Sequence, residues 1–285
     1  MTAKITVIIA TRNRPHDIPP LLTALEQTQI NDTIHEILLV DDASTVPLTR
    51  SPPRSAAFPV HILRNPRRLG ASTSRNTAAA HARGNILAFL DDDARPLPDW
   101  CQALLDALTP QRAAITGRVL PLDKGVVSRA RQYRYEQRYA AHQPLAQVSF
   151  FAGGNSAIWT THFRHAGGFP ETGTGSDNGL VTALNKKGNA VHFAPDMRVA
   201  HRNGKGLTTA AQESWYAGRN ATKTTSTRAT LSQELGHTAA TMRRQPWRTD
   251  ITAATVNTFL QAIHSTARCT PPKGLLSSGR SRFGR

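Results

Sequence analysis

The sequence predicts an α/β fold with a doubly wound, mostly parallel central sheet. Over residues 1–110, apolar runs of strand length alternate with segments of helical periodicity. The runs are apolar almost throughout, which is typical of strands buried on both faces of a parallel sheet. Polar clusters follow three of these runs, namely TRNR, DDAS and DDD. Because ligands bind beyond the carboxyl ends of such strands, we expect the functional site at this edge.

The elements of this first part follow one another in a regular order. KITVIIA predicts a strand, IPPLLTALEQTQI a helix, HEILLV a second strand and residues 60–63 a third. GASTSRNTAAAHARG predicts a helix with small polar residues as its N-terminal caps and Gly84 as its stop. NILAFLDDD predicts the fourth strand, and LPDWCQALLDAL predicts a helix with Trp100, Leu104 and Leu108 on one side.

The remaining elements are less regular along the chain. AAITGRVLPL predicts a strand, VVSRARQYRYEQRYAAH a basic, tyrosine-rich helix, and AVHFAPDMRVAH one or two strands that end at His201. Most of the chain from TTAAQESW to TMRR has a helical pattern. The last fifteen residues are rich in Pro, Gly, Ser and Arg, so we expect a disordered tail there.

The chain is strongly basic, with a net charge of +16, and the charge is unevenly distributed. From residue 201 onward there are 13 basic and 3 acidic residues. Such a segment suits an anionic partner, either a membrane surface, a nucleic acid or a phosphorylated substrate, although a solvated basic face is the alternative. No apolar run approaches the ~20 residues of a membrane span, and ITVIIA is too short for a signal peptide. We therefore expect a cytoplasmic protein.

Three consecutive aspartates end the fourth predicted strand. Adjacent like charges repel one another, so a positive group should lie close to them. Side chains alternate along an extended chain, which puts Asp91 and Asp93 on one side and Asp92 on the other. Two carboxylates on one side can hold a hard divalent cation, for which Mg²⁺ and Mn²⁺ are the usual candidates. Such a cation acts as a Lewis acid on a departing phosphate oxygen.

Five segments, in this order, carry a family resemblance: VIIATRNRP, LLVDDAS, GASTSRNTAAAHARGNILAFLDDDARPLPDW, FAGGNSAIW and AGGFPET. Together they resemble the family 2 glycosyltransferases of the GT-A fold, over about residues 4–203. The resemblance implies transfer of a sugar from a nucleoside diphosphate sugar, most often a UDP-sugar, to an acceptor hydroxyl. It also implies Mn²⁺ or Mg²⁺ as cofactor and inversion at the anomeric carbon.

The resemblance also implies a division of the chain into three parts. Residues 1–205 would be the catalytic domain, with a nucleotide-binding half in 1–110 and an acceptor-side half in 111–205. A basic helical extension in 206–270 and the tail in 271–285 would complete the chain.

Roles for nucleotide binding carry over from the family by position. Asp42 is similar to the acid that hydrogen-bonds the nucleobase, and Thr11 and Arg12 lie in the loop that packs around that base. Arg75, in SRN, is similar to the arginine of the family's ARN sequence. It would reach the phosphates of the donor or brace the DDD loop.

Roles at the metal carry over in the same way. Asp91 or Asp92 would bind the ribose or support the metal, and Asp93 would be its direct ligand. His201 follows an apolar strand at a point where related enzymes place a histidine against the metal or the diphosphate. Imidazole is an acceptable ligand beside carboxylates, although a histidine that merely lies near the site is the alternative.

Inversion requires a base that takes a proton from the acceptor hydroxyl. The family supplies it from a Glu-Asp pair after the GGF loop, where this chain has GGFPETGTGSDNGL. Asp177 corresponds to the second acid and is our predicted base, with Glu171 as the fallback. Ser176 replaces the first acid, and Gly179 stands where a further acid often occurs, so a catalytically inactive chain remains open.

The glycine pair in FAGGNSAIW lies in a segment that lines the acceptor side in the family. Gly153, Gly154 and Asn155 would therefore face the sugar, since glycines let the backbone approach a ligand closely. A tight turn is the equally good alternative.

Two other classes of function remain open. A nucleotidyltransferase of similar topology would need a glycine-rich loop after the first strand to hold a triphosphate, and ATRNRP has no glycine. A non-catalytic basic binding protein fits the charge, but aromatic residues make up only 6% and no binding motif accompanies them. We therefore expect no nucleic-acid partner.

The basic C-terminal segment suggests a partner of its own. SWYAGRNATKTTSTR predicts a helix with Trp215 and Tyr216 beside Arg219 and Lys223. An aromatic and basic helix suits an anionic lipid surface or a lipid-linked acceptor, so we expect peripheral contact with the inner membrane face. A helix packed back over the catalytic core is the alternative.

Overall fold

The structure is a computed structural model that divides into two compact units, Met1–Gly204 and Lys205–Arg285. It describes residues 2–270 except 29, 31, 51–54, 56, 171–175, 205, 225–230 and 244. The disordered tail expected in 271–285 and the fallback base Glu171 therefore lie outside the described residues.

The described part of the first unit holds nine strands and six α-helices. The strands are β1 Ile5–Thr11, β2 Ile34–Asp41, β3 Val60–Arg64, β4 Ile86–Asp91, β5 Ala94–Pro96, β6 Ala114–Pro121, β7 Gln147–Val148, β8 Asn155–Trp159 and β9 Val191–His201. The helices are α1 Ile18–Thr28, α2 Ala71–His81, α3 Trp100–Ala107, α4 Val126–Ala140, α5 Thr160–Ala166 and α6 Ser176–Lys186.

All nine strands belong to one mixed sheet of order β3-β2-β1-β4-β8-β6-β9-β5, with β7 paired to β9. Strands β3, β2, β1 and β4 are parallel, and β8 is antiparallel to both β4 and β6. The chain moves outward from β1 to β3 and returns to β4 on the other side of β1, which makes a topological switch point. In register, Thr11 lies opposite Asp41 and Ala10 opposite Asp91, so the three strand ends meet at one edge.

Both faces of the sheet are buried, which explains the nearly continuous apolar strands. Ile5, Val7 and Ile9 of β1 join a core with residues of α1 and α3, including Trp100. Ile8 points to the other face, where it joins a second core with residues of α2 and α6. The predicted α/β class is confirmed, because alternate residues of each strand pack against helices on opposite sides.

Helix α2 differs from its prediction at both ends. Gly70 is its N-cap, with φ 89°, and no side chain caps the helix. The helix ends at His81, and Gly84 lies beyond it, where its N–H donates to Thr6 Oγ1 at 2.9 Å. A Cβ at Gly84 would lie 2.5 Å from the carbonyl oxygen of Lys4, so close approach to β1 requires this glycine.

The described part of the second unit is helical, as predicted, with α7 Leu207–Thr224, α8 Leu231–Arg243 and α9 Ile251–Cys269. Asp250 caps α9, since its carboxylate accepts from Ala253 N at 2.9 Å. Helices α7 and α9 pack so closely that a Cβ at Gly218 would overlap the carbonyl oxygen of His264. Of the helices that the structure describes, none combines the length and apolarity required to cross a membrane.

Candidate active site

Two carboxylates and an imidazole converge at the carboxyl end of β4. His201 Nε2 lies 2.9 Å from Asp93 Oδ1 and 3.6 Å from Asp91 Oδ2. One ligand atom from each of the three residues lies within 4.8 Å of the other two. Strand β5 begins directly after Asp93 and pairs with the end of β9, placing Ala94 opposite His201. This pairing brings the histidine to the acids across more than 100 residues of sequence.

Asp92 lies in the turn between β4 and β5, so its position does not follow from strand alternation. Its carboxylate accepts from Thr11 Oγ1 at 2.7 Å and from Arg14 Nη1 at 2.9 Å. Arg14 Nη1 also lies 3.5 Å from Asp93 Oδ2, so it supplies part of the positive charge that the acids require. Burial raises the pKa of Asp92 even though Thr11 and Arg14 oppose the rise.

The sequence analysis missed Arg14 and named Arg12 instead. Arg12 is exposed, and its charge helps to lower the pKa of Asp42. Asn13 between them has a left-handed backbone, with φ 57°, which gives the two arginines different directions. The sequence TRNRP does not distinguish the two arginines, because the turn at Asn13 depends on hydrogen bonds with Ser44 and Thr45.

Asn203 orients His201 from behind. Its Oδ1 lies 3.2 Å from His201 Nδ1, and its own N–H donates to Asp123 Oδ1 at 2.9 Å. Burial lowers the pKa of His201, but the hydrogen bond and charge of Asp93 and the charge of Asp91 outweigh burial, so this pKa is raised. A partner on Nδ1 leaves Nε2 directed at the acids, as in histidines that bind metals.

The donor set fits a hard divalent cation. Asp91 Oδ2, Asp93 Oδ1 and His201 Nε2 supply two oxygens and one nitrogen. Asp91 ends β4, His201 ends β9 and Asp93 lies in the turn after β4. Mn²⁺ accepts such a mixed set, and Mg²⁺ binds through carboxylates completed by phosphates and water. Three protein donors on one side leave room for ligands from a substrate.

Arg75 of α2 connects this cluster to Asp177. Its Nη2 donates to Asp91 Oδ1 at 2.8 Å, and its Nη1 lies 3.8 Å from Asp177 Oδ1. The side chain is buried, and its Cζ lies 5.9 Å from the centre of the Phe169 ring. Bracing of the DDD loop, one of the two roles expected of Arg75, matches these contacts.

Asp177 lies in the first turn of α6 and accepts from Gly153 N at 3.2 Å through Oδ2. Burial raises its pKa, while Arg75 and the Gly153 N–H lower it in part, and Asp91 adds to the rise. A Cβ at Gly153 would lie 2.6 Å from Arg75 Nη1, and one at Gly154 would overlap Asp91 Oδ2. The glycine pair therefore permits the approach of these three charged side chains.

Asn155 does not face a ligand, so its predicted acceptor-side position is wrong. It is 0% exposed. Its Oδ1 accepts from Trp100 Nε1 at 2.9 Å, and its Nδ2 donates to the carbonyl oxygens of Arg118 and Met197. These three hydrogen bonds fix the sheet to α3. The sequence hides this role because Trp100 lies 55 residues away.

The departure from the family pattern at Gly179 has a steric reason. A Cβ at Gly179 would overlap the ring of Pro170, so an acid cannot occupy this position without a shift of the chain. Ser176 begins α6, directly before Asp177.

Asp42 is held within its own loop. It accepts from Asn65 Nδ2 at 2.8 Å, from Leu69 N at 2.7 Å and from Gly70 N at 2.9 Å. Burial raises its pKa, but these donors and Arg12 outweigh burial, so the pKa is lowered. Asp42 organises the loop before α2, and its expected contact with a nucleobase stays a prediction.

A cavity of about 410 Å³ opens beside this cluster. Its polar lining includes Arg75, Asp91, Asp177, Asn178 and His201, together with the backbone of Gly153 and Gly154. Tyr135, Phe150 and Phe151 form an aromatic wall, and Arg138 lies on the same wall. The sequence analysis missed Arg138 and Asn178, because α4 and α6 present many polar residues and only the fold selects those that face the cavity.

Comparison with known sequences gives consistent matches. The family described as glycosyl transferase family 2 matches residues 6–167. The pre-mycofactocin glycosyltransferase of Mycobacterium tuberculosis is 29% identical over 208 residues, 69% of this chain and 42% of the relative. An uncharacterized glycosyltransferase of Haemophilus influenzae is 35% identical over 104 residues, 36% of this chain and 34% of the relative. The chain thus spans less than half the length of these curated relatives.

Solved structures share the fold. Mannosyltransferase PcManGT from Pyrobaculum calidifontis, in complex with GDP-Man and Mn²⁺, has a TM-score of 0.68 at 20% identity, over 94% of this chain and 86% of that one. S. aureus TarS 1-349 has a TM-score of 0.55 at 14% identity, over 93% and 91%. GalNAc-T7 with UDP, GalNAc and Mn²⁺ has a TM-score of 0.56 at 16% identity, over 72% and 44%.

Proposed function

Because the chain belongs to glycosyltransferase family 2, we propose that it transfers a sugar from a nucleoside diphosphate sugar to an acceptor hydroxyl, with a divalent metal and inversion. The observation that carries the proposal is the convergence of Asp91, Asp93 and His201 beside a cavity that also contains Asp177. The cavity thus has a candidate metal site at one end and the half-buried carboxylate of Asp177 beside it. This arrangement suits a displacement in which one group leaves while another is deprotonated.

Asp93 and His201 would hold the Mn²⁺ or Mg²⁺, with Asp91 as a third ligand. The metal would supply a Lewis acid for the charge on the departing diphosphate. Arg75 fixes Asp91 by a 2.8 Å ion pair, and Asn203 fixes His201, so the ligand set is oriented by neighbouring side chains. The Mn²⁺ in the PcManGT and GalNAc-T7 complexes supports this assignment.

Asp177 would act as the base. It would accept the proton of the acceptor hydroxyl as the oxygen attacks the anomeric carbon. Its raised pKa suits this role, because a base works best when its pKa is near the pH of the reaction. The Gly153 N–H and Arg75 hold its carboxylate in place.

We propose a UDP-sugar as the preferred donor, bound near Asp42, Thr11 and Arg12. The solved neighbours contain UDP, UDP-GlcNAc or GDP-Man, so GDP-sugars form the competing class. The test is a thermal-shift panel of UDP-, dTDP- and GDP-sugars, each with Mn²⁺ and with a chelator. A ligand at 100 times its Kd stabilises the folded state by about 2.7 kcal/mol.

The matched variants of this test are Asp93→Asn and Asp106→Asn, which remove one acid each. Asp106 is exposed on α3 and serves as the control. We expect the Mn²⁺-dependent shift and the release of the nucleoside diphosphate to disappear in Asp93→Asn and to persist in the control. Release of pyrophosphate, or full activity of Asp93→Asn, would contradict the proposal.

We also propose that the second unit contacts an anionic membrane surface. Eight of the twelve exposed large apolar side chains in the described part of the chain belong to this unit: Leu207, Trp215, Tyr216, Leu235, Met242, Trp247, Ile251 and Phe259. Exposed aromatic residues within a basic segment are typical of surfaces that bind lipid headgroups.

A further inference from the structure

Helix α4 is held firmly against the sheet beside the cavity. Tyr139 is buried, and its hydroxyl accepts from Val119 N at 3.0 Å. Gln132 Nε2 donates to the Val119 carbonyl oxygen at 3.1 Å, and Arg118 pairs with Glu136. Since these contacts recur over two turns of α4, the residues of the helix that face the cavity have a fixed position.

Arg138 is the basic residue that α4 contributes to the cavity wall. Its Cζ lies 5.1 Å from the centre of the Phe150 ring, so the guanidinium makes a cation–π contact with this ring. Within the part of the chain that the structure describes, no carboxylate pairs with Arg138. Glu136, the acid of the same helix, is engaged by Arg118 and Gln132.

The other charges of the cavity are already balanced. Asp91 and Asp177 face Arg75, and His201 faces Asp91 and Asp93. Arg138 therefore adds positive charge without a protein counterion. A guanidinium offers its donors in a planar fork that matches the oxygens of a phosphate or carboxylate.

We infer that the acceptor carries a phosphate group, which Arg138 binds at the aromatic wall of the cavity. This inference rests on the proposed function, since it names the class of acceptor for the same site. The aromatic wall accommodates the apolar or sugar-ring portion next to the anion. The donor's diphosphate is the competing occupant, because it too is an oxyanion within reach of a basic residue.

The test measures binding of defined probes by calorimetry without donor or metal, and a separate titration measures UDP binding in the presence of Mn²⁺. Glucose 6-phosphate is compared with glucose, and octyl phosphate with octyl glucoside, so that sugar phosphates and lipid phosphates are distinguished. The variants are Arg138→Gln, Arg138→Lys and the control Arg134→Gln. Arg134 lies one turn earlier on α4, is not among the residues that line the cavity and carries the same charge.

We expect Arg138→Gln to weaken one of the phosphate probes about tenfold, which corresponds to about 1.4 kcal/mol. Arg138→Lys should give an intermediate loss, since it keeps the charge and loses the planar fork. Arg134→Gln should leave all probes unchanged. The neutral probes should not distinguish any variant from the parent chain.

Three outcomes would overturn the inference. The first is an equal loss of probe affinity in Arg138→Gln and Arg134→Gln. The second is that the parent chain binds charged and neutral probes equally well. The third is a loss of affinity in Arg138→Gln that is confined to UDP binding in the presence of Mn²⁺. The last outcome would assign Arg138 to the donor. Failure of the proposed function appears separately, as absence of metal-dependent donor binding in the parent chain.

Discussion

Asp177 combines a half-buried carboxylate with two partners that hold it in place, Arg75 and the Gly153 N–H. Asp177→Asn keeps the size of the side chain and an oxygen for the Gly153 N–H, so donor binding should persist. If Asp177 is the base as proposed, its loss should reduce transfer by roughly 10²–10⁴. Steady-state kinetics measures transfer, and calorimetry measures donor binding. An unchanged rate of transfer in the variant would show that another group is the base.

The pH dependence of kcat/KM provides a second test of the role proposed for Asp177. Because the pKa of Asp177 is raised from 3.8, the base becomes protonated as the pH falls through a value above 3.8. We expect kcat/KM to fall on this acidic limb, and Asp177→Asn to lack the limb. If Asp177→Asn kept the acidic limb, the limb would reflect the titration of another group.

A substitution at Gly154 tests the proposed metal site, because the backbone of this residue lies against Asp91. Gly154→Ala places a methyl group where it overlaps Asp91 Oδ2, so this carboxylate must move away from His201. We expect at least a tenfold rise in the Mn²⁺ concentration required for half-maximal activity, since oriented ligands govern metal affinity by about 10–100-fold. Gly125→Ala is the matched control, because a Cβ there has open space. Equal metal dependence of the two variants would remove Asp91 from the ligand set.

The residues of the site differ in how far the sequence could predict them. Asp91 and Asp93 lie together as predicted, although Asp93 lies in the turn after β4 and not on an extended strand. The contacts of Arg14 and of Asn155 could not be predicted, since their partners Asp92 and Trp100 lie more than 50 residues away in sequence. The sequence shows which side chains are polar, but only the fold shows which of them already have a hydrogen-bond partner within the protein.

At the scale of elements, a buried carboxylate ties the sheet together. Glu36 of β2 accepts from Thr6 Oγ1 of β1 at 2.9 Å, from Arg83 N at 2.7 Å and from Arg83 Nε at 2.8 Å. Burial raises its pKa, but these donors outweigh burial, so the pKa lies below 4.5. The link between β1, β2 and the chain after α2 thus depends on an ionised group.

Glu36→Gln should destabilise the first unit by about 1–3 kcal/mol, because the buried side chain loses its charge-assisted hydrogen bonds to the Arg83 guanidinium. The contribution of Glu36 is fully present above pH 4.5 and is lost as the pH falls through its lowered pKa. Thermal unfolding at pH 7 and in acid measures both effects, with Asp106→Asn as the surface control. If the parent and variant differed equally in acid and at pH 7, Glu36 would not be the titrating group.

Most elements were predictable because their patterns are local. Buried strands followed by polar clusters indicated β1, β2 and β4, and this half determines the class of the fold. The antiparallel insertion of β8 between β4 and β6 was not predictable, since NSAIW contains no signal for its neighbours. The short β5, which brings His201 to Asp93, was hidden within the residues after DDD.

At the scale of the whole molecule, charge and apolar exposure coincide in the second unit. Of the net charge of +16, residues from 201 onward contribute the excess of 13 basic over 3 acidic side chains. The sequence indicated this asymmetry directly, but exposure of the aromatic residues of α7 required the structure. Trp215 is 37% and Tyr216 66% exposed.

These two side chains provide the test of membrane contact. The double variant Trp215→Ala with Tyr216→Ala should bind vesicles containing an anionic phospholipid several-fold more weakly, because aromatic rings at the headgroup level and basic charge both contribute to binding. Val46→Ala is the control, since Val46 is 63% exposed on the first unit. Co-sedimentation is measured with anionic and with neutral vesicles at low and high salt, because screening should weaken only the electrostatic part. Binding that is equal for the two vesicle types, or unchanged in the double variant, would leave the exposed surface of α7 without a lipid partner.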